Sequence, residues 1–192
     1  RVAPEGARRI GMRNRSFRVL APVSLVLVTV LAAGSLMVFG AQEAEACAAV
    51  HRFYNVEAGT HFYTASEEEA NRVRTSYAGA YKYEGVAYLA NELTNPDPLY
   101  RFYNKSNGSH FYTASASEKA AVEATWPGVY TYEGVGFKIS TTEVPGGTTI
   151  YRFYNKSNGS HFYTSSAEER DAVQARWSSV YTYEGVAYYV AP

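Results

Sequence analysis

The sequence predicts a mainly β (α+β) protein with short helices, in which three β-hairpin–helix–strand repeats form one closed pseudo-threefold domain. The segment YRFYNKSNGSHFYT starts at Tyr100 and again at Tyr151, and a close variant starts at His51. A second motif, YEGV, follows each copy at a similar distance. Each repeat is only about 40 residues long, too short to bury a core alone. Three copies must therefore pack together, within a single domain covering 49–192.

The predicted repeats span 50–90, 99–139 and 150–190. None carries a recognisable polar end cap, which favours a closed arrangement over an open solenoid. A β-trefoil also has three repeats of comparable length, but its repeats lack the capped helix predicted below. The trefoil is therefore used as an analogy only.

Each repeat begins with a predicted β-hairpin. In the second copy, two β-rich runs at 101–104 and 110–113 flank the segment KSNGS. Asn107 and Gly108 are the residue types that tolerate the positive backbone angles of a hairpin turn. We therefore expect Asn104 and Asn107 to serve turn geometry.

A short helix is predicted after each hairpin. A serine precedes a glutamate by three residues, which is the spacing of a capping box. The pairs are Ser66/Glu69, Ser115/Glu118 and Ser166/Glu169. An i,i+4 apolar pair follows, and it predicts one buried stripe on each helix. These pairs are Val73/Tyr77, Val122/Trp126 and Val173/Trp177. The Tyr-x-Tyr-Glu-Gly motif then starts the last strand.

The amino-terminal region predicts export. Arg13, Arg15 and Arg18 precede an apolar run, and Ala-x-Ala sequences follow it, as in a secretory signal peptide. We assign 12–48 to the signal peptide and 1–11 to an upstream extension. The expected location is secreted or extracellular. An uncleaved anchor and lipidation of Cys47 stay open as routes of cell-surface attachment, and membrane contact is expected only through this segment.

Charge and composition limit the partners. The chain after Cys47 holds 12 Lys and Arg and 15 Asp and Glu, a formal net charge of −3. Nucleic acid binding needs a cationic surface, so it is not expected. Cys47 is the single cysteine, so an intrachain disulfide is excluded. All 18 tyrosines follow it in the sequence. Tyrosine suits hydrated recognition surfaces as well as cores.

Strand alternation predicts one face of each hairpin as a binding surface. Phe102 and Phe111 point to one side, and Arg, Tyr and His side chains share the other. Aromatic rings stack on sugar rings, and directional donors read hydroxyl groups, so this face predicts glycan recognition. Three repeats would add avidity for a polymer. The predicted ligand-binding residues are Arg52, Tyr54, His61, Tyr63, Arg101, Tyr103, His110, Tyr112, Arg152, Tyr154, His161 and Tyr163.

Structural roles compete with this interpretation. The tyrosines could fill the core, and Arg101 could pair with Glu133 or Glu184 as a clasp between repeats. A further alternative is a metal site of three converging histidines, His61, His110 and His161, with Glu84, Glu133 and Glu184 as outer partners. The sequence contains neither a Gly-x-Ser-x-Gly nor a His-Glu-x-x-His motif, and equivalent repeats disfavour one asymmetric active site. We therefore expect a non-enzyme without catalytic residues or cofactors.

The motifs Tyr-Arg-Phe-Tyr-Asn, Gly-x-His-Phe-Tyr-Thr and Tyr-Glu-Gly-Val-Ala-Tyr resemble the repeats of a family of secreted bacterial and fungal domains of unknown function. Such repeats often sit beside cell-wall hydrolases and peptidases, so the resemblance implies an accessory binding role. The leading expectation is a secreted, non-catalytic module that binds carbohydrate or cell-envelope glycan through three equivalent repeats. The alternatives are an extracellular protein–protein interaction or structural module and, third, a metal-dependent hydrolase. The oligomeric state stays open.

Overall fold

A computed structural model describes residues 47–91 and 94–191 of the protein. The predicted extension 1–11 and signal segment up to residue 46 lie outside the described residues. Within the described part, the order hairpin, helix, strand occurs three times, which confirms the predicted content of each repeat. No helix in these ranges is long and apolar enough to cross a membrane.

The elements of the first repeat are β1 (Cys47–Asn55), β2 (Thr60–Thr64), α1 (Glu67–Ser76) and β3 (Tyr81–Asn91). Those of the second are β4 (Asp97–Asn104), β5 (His110–Thr113), α2 (Ala116–Thr125) and β6 (Tyr130–Ile139). Those of the third are β7 (Thr148–Asn155), β8 (His161–Thr164), α3 (Ala167–Arg176) and β9 (Tyr181–Val190).

Each repeat forms its own three-stranded antiparallel sheet, and none of the three sheets is closed. The first strand of a repeat lies in the middle, in the orders β2-β1-β3, β5-β4-β6 and β8-β7-β9. The structure is thus mainly β with three short helices in the described residues. The predicted alternation is also correct, because Phe102 pairs with Phe111 while Arg101 pairs with Tyr112.

The Glu-Gly motif of each last strand is a β-bulge that the sequence analysis missed. The register shifts where Arg52 of β1 meets Gly85 of β3. Gly85 has a φ of 106°, and Gly134 and Gly185 have nearly the same value. A side chain would strain this left-handed backbone, which explains the glycine. Each bulge glycine faces the arginine of the middle strand and follows a glutamate.

Only one of the two hydrogen bonds of each predicted capping box is present. Each serine side chain accepts a hydrogen bond from the backbone N–H of its glutamate, at 3.2 Å for Ser66 and Glu69. The return bond from the glutamate side chain is replaced, because Ser66 N–H donates to Thr64 Oγ1 instead. The Glu69 carboxylate is then available to another repeat. The serines therefore act as helix N-caps, as predicted.

Each hairpin packs on both of its faces, against different neighbours. The phenylalanine face packs on the helix of its own repeat, for example Phe102 and Phe111 with Val122. The opposite face contributes Tyr63, Tyr112 and Tyr163 to a second cluster that contains residues of all three repeats. The shared cluster gives a physical reason for the repetition, since one repeat alone would leave this apolar surface in water.

Of the i,i+4 pairs that were predicted to form a buried stripe on each helix, only the valines are buried. Val73, Val122 and Val173 are buried. Trp126 and Trp177 are half exposed, at 50% and 51%. The helices end at these residues, so the ring one turn after the valine is no longer directed to the core.

Candidate functional site

Tyr63, Tyr112 and Tyr163 join the repeats through buried hydrogen bonds. The Tyr112 hydroxyl donates to the carbonyl of Tyr63 at 2.6 Å and accepts from the N–H of Tyr63 at 3.1 Å. Tyr163 makes the same two bonds to Tyr112, and Tyr63 makes them to Tyr163. Because β2, β5 and β8 are edge strands, each hydroxyl occupies the place of a missing strand neighbour.

These three tyrosines are at most 2% exposed. Burial raises the pKa of all three hydroxyls well above the ordinary tyrosine value. Although they were predicted as ligand contacts, the structure places them in the core, out of reach of a surface ligand. Strand alternation alone could not show this, because it does not reveal what covers a face.

The predicted arginines form clasps between repeats. Arg101 Nε lies 3.0 Å from Glu133 Oε2 of its own repeat, and its terminal nitrogens donate to both oxygens of Glu69, at 2.8 and 3.3 Å. Glu133 was therefore a correct partner. The partner across the boundary is the helix glutamate Glu69, so the prediction of Glu184 was wrong. Arg152 with Glu118, and Arg52 with Glu169, make the equivalent contacts.

The charges of these clasps stabilise one another. Burial acts to raise the pKa of Glu133, but His110 and Arg101 outweigh it and hold the pKa below the ordinary glutamate value. Glu118 is held below its ordinary pKa in the same way, by Arg152 against the effect of burial. The carboxylates are thus ionised at neutral pH and engaged by arginine.

The three predicted histidines lie at the same boundaries but do not hold a metal together. His110 Nε2 is 3.3 Å from Glu133 Oε2, and the imidazole packs on Phe62 of the preceding repeat at a ring-centroid distance of 4.7 Å. His61 and His161 have equivalent neighbours. No group of three or more His, Cys, Asp or Glu residues within 47–91 and 94–191 is placed to hold a metal ion. The three-histidine hypothesis is therefore wrong for this arrangement.

Tyr54, Tyr103 and Tyr154 keep part of their surface in solvent. Each ring packs beside the histidine of its own hairpin, at 5.4 Å for Tyr103 and His110. Each also interacts electrostatically with the first tyrosine of the neighbouring repeat's last strand. Burial raises the pKa of Tyr81, and the nearby Tyr103 adds to that rise. Tyr154 has the same effect on Tyr130, and Tyr54 on Tyr181.

An aromatic residue lies at the end of each helix, and its carbonyl accepts a hydrogen bond from the N–H of the first tyrosine of the last strand, four residues later. Trp126 packs edge-on against Tyr130 at 6.4 Å between ring centroids. We call each set of three rings an aromatic track and name it by the two repeats that it joins. The tracks are 1–2 (Tyr77, Tyr81, Tyr103), 2–3 (Trp126, Tyr130, Tyr154) and 3–1 (Trp177, Tyr181, Tyr54).

Trp126 and Trp177 are the most exposed aromatic residues within 47–91 and 94–191. The side chains of Arg74, Lys119 and Arg170 cover tyrosine faces at 4.4 to 4.5 Å. Among the described residues, no cation covers Trp126 or Trp177, and neither indole N–H has a hydrogen-bond partner. Sequence reasoning missed both residues because their i,i+4 spacing predicted burial. The Pro-Gly or Ser-Ser that follows each one could have marked the helix end.

Small clefts lie at two of the repeat boundaries, near the amino-terminal ends of α2 and α3, and their linings include none of the track residues. One, of about 170 Å³, is lined by residues that include Glu118, Arg152 and Glu184. The other, of about 190 Å³, includes Arg52, Glu84 and Glu169 in its lining. Both are at boundaries with the third repeat. Their walls offer charged and hydroxyl groups close to an exposed valine, Val186 or Val86.

Comparison with known proteins identifies the family without assigning an activity. No curated protein and no solved structure matches the chain. A family model described as a domain of unknown function, DUF5648, matches residues 48–191, which include nearly all the described structure. This match supports the resemblance to a family of unknown function. The protein therefore belongs to the DUF5648 family.

Proposed function

We propose that the protein is a secreted, non-catalytic module that binds carbohydrate, specifically glycans of the cell envelope, through its aromatic tracks. The observation that carries the proposal is the half exposure of Trp126 and Trp177 at equivalent places in two repeats. A half-exposed indole offers a flat apolar face and an N–H donor, and its repetition gives a ligand two such surfaces.

The chemistry of the tracks suits sugar rings. The apolar face of a pyranose stacks on an aromatic ring, while hydroxyl and N–H groups at the ring edges bond to sugar hydroxyls. Track 2–3 offers an uncovered indole with its N–H, together with the phenol groups of Tyr130 and Tyr154. Several rings in one track would contact more than one sugar, which favours a chain over a monosaccharide.

The contacts between repeats support a closed pseudo-threefold arrangement, as expected from the sequence. Tyrosine hydroxyls reach from repeat 1 to 3, from 2 to 1 and from 3 to 2. The arginine clasps follow the same cycle. Such a cycle gives one track to every boundary, so several weak sites would hold a polymer with high avidity.

The remaining expectations fit this role. The net charge of −3 after Cys47 disfavours nucleic acid as a partner. Membrane contact would be limited to the amino-terminal segment, and extracellular localisation is part of the proposal. Glycan would then be met outside the cell, beside the hydrolases with which similar repeats are expected to occur.

An extracellular protein-contact module is the second candidate. Val86, Val135 and Val186 are each about half exposed at equivalent positions, and Leu89 is 55% exposed. A partner protein could cover such apolar positions. These valines are scattered single residues beside polar clefts, however, and isolated exposed apolar side chains are common on protein surfaces.

The test is retention of the purified protein on insoluble peptidoglycan, chitin and cellulose, followed by elution with the soluble oligosaccharides of each polymer. The proposal predicts retention that the matching oligosaccharide reverses and that Trp126→Ala with Trp177→Ala abolishes. Leu89→Ala is the matched control, because it removes an equally exposed apolar side chain outside the tracks. Absence of retention on every glycan would favour the protein-contact module.

A further inference from the structure

We propose that two of the three repeat boundaries bind glycan: boundary 2–3 and boundary 3–1, which both border the third repeat. Boundary 1–2 keeps the contacts that hold the fold together and lacks the features that would make a binding site. This inference rests on the proposed function and specifies its sites and their number.

The aromatic ring at the helix end is the first difference. Boundaries 2–3 and 3–1 have tryptophan, at Trp126 and Trp177. Boundary 1–2 has Tyr77, which is more buried than either tryptophan. Tryptophan has the larger face and the stronger π-system, so it stacks on a ligand better than a partly covered tyrosine.

The anchoring of the hairpin turns is the second difference. Asn107 Nδ2 donates to the carbonyl of Asn158 at 2.8 Å, and Asn158 Nδ2 donates to the carbonyls of Ala58 and Gly59 at 3.1 Å. These bonds hold the turns beside Tyr154 and Tyr54, which belong to tracks 2–3 and 3–1.

The first repeat breaks this series. Ala58 stands where the other repeats have asparagine, so it has no side-chain donor for the turn of the second repeat. Tyr103 of track 1–2 is therefore presented by a turn without the anchor that the other two turns receive. A preorganised ligand contact binds more tightly because less side-chain and loop entropy is lost.

Access to the charged clasp is the third difference. Glu118 and Glu169, at boundaries 2–3 and 3–1, have side chains that are 34% and 35% exposed. Glu69, at boundary 1–2, is only 17% exposed, although Arg101 and Arg152 each donate two hydrogen bonds to their partner glutamates. Clefts of about 170 and 190 Å³ lie at boundaries 2–3 and 3–1, near the amino-terminal ends of α2 and α3.

The three differences involve a helix end, a turn and a salt bridge, and each separates boundary 1–2 from the other two boundaries. The core does not require them, because the tyrosine hydrogen bonds are equivalent at all three boundaries. The second and third copies also share an identical fourteen-residue hairpin, from which the first departs at His51 and in its turn. The divergence therefore separates two binding boundaries from one structural boundary.

Isothermal titration with chitohexaose, cellohexaose and muramidase-released peptidoglycan fragments tests this inference. The protein has two tryptophans in all, so fluorescence titration of Trp126→Phe and Trp177→Phe reports each remaining site separately. We expect a stoichiometry of two, reduced to one by either Trp126→Ala or Trp177→Ala. The phenylalanine variants keep an aromatic ring and serve where an alanine variant fails to fold.

Rebuilding boundary 1–2 gives the converse test. Tyr77→Trp combined with Ala58→Asn is expected to raise the stoichiometry to three. A wild-type stoichiometry of three, or binding that neither tryptophan substitution changes, would overturn the inference while glycan binding itself stands. Failure of every oligosaccharide to bind would overturn the proposed function and this inference with it.

Discussion

Removing one hydroxyl of the tyrosine cycle tests how the repeats are joined. In Tyr112→Phe, the carbonyl and N–H of Tyr63 lose their partner while the ring still fills its place. A net hydrogen bond contributes about 0.5–1.5 kcal/mol, and a buried group left unpaired costs about 1–3 kcal/mol. The combined expectation is a loss of about 2–4 kcal/mol, a large part of the roughly 5–15 kcal/mol that stabilises a typical domain.

Urea unfolding followed by circular dichroism measures this loss. With a slope of about 2 kcal/mol per molar urea, the midpoint should fall by roughly 1–2 M. Tyr132→Phe is the matched control, because its side chain is partly exposed and lies outside the tyrosine cycle, so its change should stay within about 0.5 kcal/mol. Equal midpoints for the two variants would refute the idea that the hydroxyls hold the edge strands of neighbouring repeats together.

Two further predictions concern charge. Arg101→Met leaves the largely buried carboxylates of Glu69 and Glu133 without their cation, so we expect the free energy of unfolding in urea to fall by about 2–4 kcal/mol. The control is Arg176→Met, which removes an exposed arginine and should change the free energy of unfolding little. Similar losses in the two variants would contradict the clasp. Burial raises the pKa of Tyr63, Tyr112 and Tyr163, so the folded protein keeps these protons after the unfolded chain has lost them. The free energy of unfolding should therefore be constant below a pH of about 10 and fall as the pH rises further. Unfolding curves that stay the same from pH 9 to 11 would contradict the burial of these hydroxyls.

Local features of the fold follow from the sequence because they depend on neighbouring residues. The Asn-Gly turn, the serine caps and the pairing of Phe102 with Phe111 involve residues close in the chain, and each is present. The glycine bulge is equally local, but the Glu-Gly motif has the length and composition of a continuous strand. The positive φ of the bulge glycine therefore cannot be predicted from the motif.

The candidate site was harder to predict because its contacts join different repeats. The residues around Arg101 in the sequence do not reveal that it will form an ion pair with Glu69, which lies in the helix of the preceding repeat. Alternation correctly placed Tyr103 and Tyr112 on one face, yet the neighbouring repeat covers Tyr112 and leaves part of Tyr103 in solvent. Trp126 was assigned to the core because helical spacing indicates a direction only while the helix continues.

The most direct test of glycan binding by the tracks is nitrogen-15 NMR of the two indole N–H groups. Trp126 and Trp177 are the sole tryptophans of the protein, so each signal reports one track. We expect both signals to shift saturably on addition of the oligosaccharide that competes in the retention assay. Saturable binding of that oligosaccharide with both indole signals unmoved would contradict this expectation.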